Sequence, residues 1–257
     1  MSFVGVRSGL PDMAEVVAII PARYASTRLP GKPLAPIGGA PMIQHVYERA
    51  ARAAGVARTL VATDDERIVA AVRAFGGDVI MTGAHATGTD RLAEVARGLT
   101  AEIVVNVQGD LPLLDPTAVS KCAALLVERP ELAMTSLMTP IRDAREFERP
   151  HVVKVVVGVD GCALYFSRSP LPFWRGPRRD DAPLGQRHIG LYAYRRDVLL
   201  TLAAAPRSAL ECAEELEQLR ALERGMRIGM IEVDSAPPEV DTAEDLERVR
   251  RLVEVTR

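Results

Sequence analysis

Three cations crowd one short stretch of this 257-residue chain: Arg23, Arg28 and Lys32 fall within ten residues. The small side chains Ala22, Ala25 and Ser26 separate them, and Pro30-Gly31-Lys32-Pro33 closes the stretch. Fixed positive charge at that density suits a polyphosphate, which several side chains and loop amides can share. A solvated basic loop is the alternative. Position favours the first reading, because the loop follows Val16–Ile20, an apolar, largely β-branched run that stops at Pro21. Such a run reads as the central strand of a parallel sheet, buried on both faces, and open α/β sheets bind ligands at the carboxyl edge. Pro33 after Gly31-Lys32 excludes a Walker A loop, and there is no G-x-G-x-x-G here, so phosphate needs a different cradle.

Two further sites belong to the same edge. Ile103–Val107 reads as another buried strand running into Gln108-Gly109-Asp110. A carboxylate just past its end can hold Mg²⁺ on a nucleotide phosphate, and a plain turn aspartate is the competing reading. Thr87-Gly88-Thr89 precedes a helix with Leu92 and Val95 inward. A glycine flanked by hydroxyls lets a base or ribose approach the backbone; taken alone, it is more often an ordinary helix cap.

The elements that must position these residues alternate in type. An amphipathic helix with Pro41 at its first position ends at Gly55, a strand covers Thr59–Ala62, and Asp64 caps a helix that ends at Gly76-Gly77. Asp78–Met81 adds a strand, and Asp115-Pro116 opens a helix with Val119, Cys122, Leu125 and Leu126 inward. This grammar predicts an α/β, Rossmann-like core with a parallel central sheet. From 133 it changes: Ala133–Met138, Val152–Val159 and Cys162–Phe166 are strand-like, with Asp160-Gly161 as a type I′ hairpin signal. Proline-rich residues 170–187 read as a mobile lid, 188–194 as a strand and 208–224 as one helix. The expected division is a nucleotide-binding core of 14–132 plus 205–257, with 133–204 as an inserted antiparallel β lobe.

Composition bounds the function. Thirty-two basic and 34 acidic residues give a net charge of −2, so no global field favours nucleic acid or an anionic membrane. No apolar run reaches the roughly 20 residues of a membrane span. Cys122, Cys162 and Cys212 lie far apart, which fits a reduced cytoplasm and gives no zinc signature. Residues 1–15 read as a loose extension, with Met13 an alternative start.

The run I-P-A-R-Y-A-S-T-R-L-P-G-K-P-L resembles the opening signature of the CMP-Kdo synthetases (3-deoxy-manno-octulosonate cytidylyltransferases), and the likeness continues through T-G-T-D-R, V-N-V-Q-G-D, Y-F-S-R, H-I-G-L-Y, L-E-Q-L-R and V-D-T. The resemblance implies a cytoplasmic homodimer in lipopolysaccharide biosynthesis that transfers CMP from CTP to a 2-keto-3-deoxy sugar acid, with Mg²⁺ held by Asp110 and Asp241. Lys32 would act with them. Nucleotide contacts would come from Ala22, Arg23, Ser26, Arg28, Thr63, Asp64, Thr87, Gly88, Thr89, Arg91 and Gln108. The sugar would meet Arg168 through its carboxylate, with His188, Tyr192, Glu217 and Gln218 around it. Structural readings stand beside these: a lone buried histidine, a solvated charge run at 217–220 and a helix cap at Asp241-Thr242.

Two departures from the family pattern bear on the acceptor. This chain has Q-G-D-L-P where the family reads Q-G-D-E-P, and Pro237-Pro238-Glu239 where it usually carries glycine. Leu111 is therefore expected to alter acceptor preference. Other acceptors (8-amino-Kdo, another acidic sugar, a phosphonate) and a non-catalytic CTP-binding role are the competing functions.

Overall fold

The computed structural model describes residues 14–25, 28–177 and 182–255. Its elements run β1 (Val16–Ala22), a 3₁₀ turn (Lys32–Leu34), β2 (Pro36–Ile37), β3 (Ala40–Pro41), α1 (Met42–Ala51), β4 (Val56–Thr63), α2 (Glu66–Ala74), β5 (Val79–Met81), α3 (Gly88–Arg97), β6 (Ile103–Asn106) and α4 (Pro116–Glu128). Then come β7 (Met134–Ile141), α5 (Ala144–Glu148), β8 (Lys154–Val157), β9 (Ala163–Ser167), β10 (Gly185–Arg195), α6 (Arg196–Ala204), α7 (Ala209–Glu214), α8 (Leu219–Glu223), β11 (Ile228–Glu232) and α9 (Ala243–Val255).

The main sheet runs β11-β7-β10-β6-β1-β4-β5, with β8 paired to β10 and β9 to β8. β1 is parallel to both neighbours, β4 and β6. Its alternation divides the core: Val16, Ala18, Ile20 and Ala22 enter the layer covered by α1, α2 and α4, while Val17 and Ile19 enter the layer covered by α3, α6 and α8. No described helix is long and apolar enough to cross a membrane.

The parallel α/β core stands, and the antiparallel strands expected after 133 are present: β7 and β10 are hydrogen-bonded to each other inside the main sheet, and β8 and β9 lie off its path. Asp65, not Asp64, caps α2 by accepting from the Arg67 amide. Pro41 sits one residue before α1, as its cap. The 160–161 hairpin exists with a different turn: Gly161 N donates to Gly158 O, and within the turn only Gly161 has positive φ, at 75°. That is a type I turn followed by a left-handed glycine, not type I′. The lid expectation at 170–187 falls partly on 178–181, outside the described residues; of the rest, Trp174 Nε1 donates to Leu184 O at 2.8 Å, and 185–187 belong to β10. The single helix of 208–224 is two, broken at Glu215 in the left-handed region (φ 51°, ψ 47°).

Candidate active site

At the carboxyl edge of β1, Lys32 Nζ donates to Asp110 Oδ2 at 3.0 Å and Asp241 Oδ1 at 3.2 Å. Arg28 Nη2 holds the other Asp241 oxygen at 3.1 Å. The two carboxylates, 131 positions apart in sequence, therefore converge on one ammonium. Each loop is built for this. Gly31, at φ 72°, admits the turn that presents Lys32, and a Cβ there would press on the Tyr24 ring 3.1 Å away. A Cβ on Gly109 would lie 3.1 Å from Pro21 O, so Q-G-D needs its glycine to run this close to β1. Thr242 Oγ1 accepts from Asp245 N, and Asp245 Oδ2 accepts from the amides of Asp241 and Thr242. This reciprocal cap leaves the Asp241 carboxylate to face Lys32.

These groups line an open cleft of about 530 Å³ with Ala22, Arg23, Thr87, Gly88, Arg91 and Gln108. Its floor carries four cations against two aspartates, a balance suited to a triphosphate. Among the described residues no three His, Cys, Asp or Glu side chains cluster as a closed metal site. The pair Asp110 and Asp241 nevertheless fits Mg²⁺, which commonly takes one or two carboxylates and completes its shell with phosphates and water. Both side chains are about a third exposed, at 29% and 33%, and already hold a cation, the Lys32 ammonium, between them.

On another wall of the cleft, Thr87 caps α3 by accepting from Asp90 N. Arg91 is buried, paired to Asp64 at 3.0 Å and donating to Thr82 and Gly83 O. Thr63, also buried, accepts from Asp65 N. Thr63 and Asp64 thus stand behind the cleft wall, where Asp64 anchors Arg91. Ser26 lies outside the described residues. Sequence reasoning passed over His85, which lines the cleft with its Nε2 on Glu94; the Glu94 carboxyl is held below its usual range mainly by that bond. An isolated histidine before T-G-T offered no pattern to detect.

Beyond Gln108 and Asp110, which line both spaces, a second chamber opens, walled by His188, Tyr192, Leu216 and Gln218. It adjoins a smaller recess with Thr89, Asn106 and Glu217. Three buried polar atoms there make no hydrogen bond: Asn106 Oδ1, Gln218 Nε2 and Glu217 Oε1, the last with only the Arg220 guanidinium at 3.7 Å. Leaving such atoms unpaired costs about 1–3 kcal/mol each, so they mark where a hydroxyl-rich ligand would be rewarded. Thr89 Oγ1 donates to Glu217 Oε2 at 2.9 Å, and Tyr192 Oη to Gln218 Oε1 at 3.3 Å. Burial raises the Glu217 carboxyl above its usual range. His188 is buried and pushed down to about 3, by burial first and Arg187 second. Its Nε2 meets Ser136 Oγ at 2.9 Å, and that hydroxyl donates to the Ile189 and Leu191 carbonyls, so Nε2 carries the ring proton.

Arg168 is a correction. It is not among the residues lining the cleft or chamber. Nε donates to Glu214 O at 2.7 Å, Nη1 to Pro150 O at 3.2 Å and Nη2 to Glu215 O at 3.3 Å. The guanidinium thus ties the Pro150 carbonyl to two carbonyls at the end of α7, fixing the helix break that presents Glu217 and Gln218. Leu111 is 2% exposed and packs in the core with Leu114 and Val119, so it shapes the loop from within while lining the chamber edge.

A family model described as cytidylyltransferase matches residues 17–228. A 3-deoxy-manno-octulosonate cytidylyltransferase of Geobacter sulfurreducens is 55% identical over 243 residues, 91% of this chain and 97% of its own length. One from Solibacter usitatus is 51% identical over 93% of this chain and 94% of its own. A solved structure of CMP:2-keto-3-deoxy-manno-octonic acid synthetase complexed with CTP superposes with a TM-score of 0.90 at 48% identity, covering 95% of this chain and all of that one.

Proposed function

Because this chain belongs to the cytidylyltransferase family, matching its 3-deoxy-manno-octulosonate members over nine-tenths of its length, we propose that it transfers CMP from CTP to the anomeric hydroxyl of 3-deoxy-D-manno-octulosonate and releases pyrophosphate. The observation that carries this reading is that Gln108 and Asp110 line both the cation-rich cleft and the polar chamber. A triphosphate in one space and a sugar in the other meet at that boundary.

The sugar oxygen attacks the α-phosphorus in line; the new O–P bond forms as the bond to the β-phosphate oxygen breaks. Such chemistry needs little beyond positioning and charge neutralisation. Arg23, Arg28 and Lys32 neutralise the departing pyrophosphate. Thr87, Gly88 and Gln108 border the nucleoside, and the unpaired atoms of Asn106, Glu217 and Gln218 take sugar hydroxyls. Asp110 and Asp241 would hold Mg²⁺, which when bound offsets phosphate charge and lowers the pKa of a coordinated hydroxyl.

The contact of Lys32 with both aspartates supports catalysis over mere CTP binding, and the hydroxyl-seeking recess supports a sugar over a phosphonate. We also infer a cytoplasmic setting and a homodimer; exposed Leu164 on β9 and exposed Phe173 and Trp174 in the loop that follows it support the latter. The test is coupled pyrophosphate release with CTP, Mg²⁺ and a panel of sugar acids. Release with the octulosonate acid is expected, and none with any acid sinks the reading.

A further inference from the structure

The acceptor of the proposed reaction is an acid, yet the chamber assigned to it is lined with the wrong charge. Asp110 and Glu239 form part of its wall, and Glu217 lies in the adjoining recess. An anion enters such a space only against a compensating cation. Among the described residues lining the chamber, Arg187 is the one arginine or lysine.

Its setting differs from that of Arg168. The Arg187 side chain is a quarter exposed, with Nη1 on Glu146 Oε1 at 3.1 Å and Nη2 on Glu239 Oε1 at 3.2 Å. Both carboxylate side chains are partly exposed, at 33% and 43%, so water can reach either when its guanidinium contact opens, although burial raises the Glu239 carboxyl above its usual range. Arg168, by contrast, is held by three backbone carbonyls and lines neither space. Position is equally well set: Arg187 pairs with Thr139 of β7 and Lys154 of β8 on the rigid part of β10. Its bracket Glu239 follows two prolines and precedes Val240, whose amide bonds to Asp110 O at 3.0 Å. The guanidinium is thereby registered against the carboxylate at the reacting centre.

We propose that Arg187 is the specificity-determining residue that recognises the acceptor's carboxylate, and that Glu146 and Glu239 are positioning residues that hold its fork until the acid displaces one of them. The proposal rests on the sugar-acid reading above. A planar fork pairs with a carboxylate through two parallel bonds, which an ammonium cannot copy.

The test compares the octulosonate acid with its neutral C1 amide in pyrophosphate release by the parent, Arg187→Gln and Arg187→Lys. In the parent, the acid is favoured. In Arg187→Gln the KM for the acid rises about 10- to 100-fold, the scale of one charge-assisted pair. The KM for CTP stays within about threefold, and the preference for acid over amide collapses. Arg187→Lys retains part of that preference, and its acid-to-amide ratio decides the matter should Arg187→Gln not fold. A variant that prefers acid over amide as strongly as the parent overturns the assignment, as does an equal rise in both KM values. A parent that turns over no sugar acid at all overturns the functional reading instead.

Discussion

The backbone nitrogen of Val240 donates to the carbonyl of Asp110 at 3.0 Å, joining the loop after β6 to the approach to α9. That bond brings the next residue, Asp241, beside Asp110, and Lys32 then neutralises both. The proposed metal pair is thus held by backbone geometry before any ligand arrives.

Replacing Asp110 or Asp241 with Asn keeps size and removes charge. Turnover is expected to fall by roughly 10²-fold or more, the scale of several kcal/mol of transition-state stabilisation. Folding is expected to persist, because Thr242 and Asp245 cap α9 without the Asp241 carboxylate. Steady-state kinetics beside thermal unfolding checks both halves; a near-normal turnover removes that residue from the role.

Lys32→Met leaves two carboxylates facing each other without their shared counter-charge. The KM for CTP is expected to rise about tenfold or more, as for loss of a charged hydrogen-bond partner. Added Mg²⁺ should raise the melting temperature of this variant more than that of the parent, because the ion then meets no competing ammonium. Equal shifts in the two proteins would remove the shared-site argument.

Arg168→Met releases three carbonyls, two of them at the α7 break. A loss of about 1–3 kcal/mol in stability is expected, measured by urea unfolding, together with a raised acceptor KM as Glu217 and Gln218 lose their fixed placement. The ratio of acid to amide turnover should not move. A collapse of that ratio would restore Arg168 to the carboxylate.

His188 gives a pH dependence whose sign follows from its depressed pKa. The folded protein holds the ring neutral down to about 3, while the unfolded chain takes up its proton near 6.5. Below 6.5 the unfolded state binds more protons, so the neutral ring's contribution is complete above 6.5 and is lost as pH falls toward 3. His188→Gln should flatten the fall in the urea midpoint between pH 6.5 and 4. An unchanged slope would mean that other groups dominate it.

Much of this was legible in the sequence for identifiable reasons. β1, β6 and their loops were readable because buried parallel strands are continuous apolar runs, and Arg23, Arg28, Lys32 and Asp110 sit at their ends. The helix break at Glu215 was not, since Ser208 to Arg224 is a uniformly good helix former; the clamp that ends α7 comes from Arg168, some 46 residues earlier in the chain. The same distance effect hid the true place of Arg168 and the pairing of Arg187 with Glu239, since neither local pattern nor periodicity reports a partner on another element. The change of pattern at 133 marked the antiparallel strands, but not their place in the main sheet, because pairing depends on distant partners: β10 lies between β6 and β7.

β10 has a consequence for how such a protein could change its substrate. One strand carries Arg187, His188 and Tyr192 to the chamber proposed for the acceptor, and Glu217 and Gln218 from beyond the α7 break add to its polar lining. The cations and aspartates proposed to handle the nucleotide lie on other segments, and among the described residues their cleft shares only Gln108 and Asp110 with that chamber. Substitutions along β10 and the α7 break can therefore explore new acceptors by drift or by directed evolution while the nucleotide-handling loops keep their chemistry. Grafting 185–195 together with 214–218 from a relative of different preference is the smallest exchange that would carry a new acceptor onto this frame.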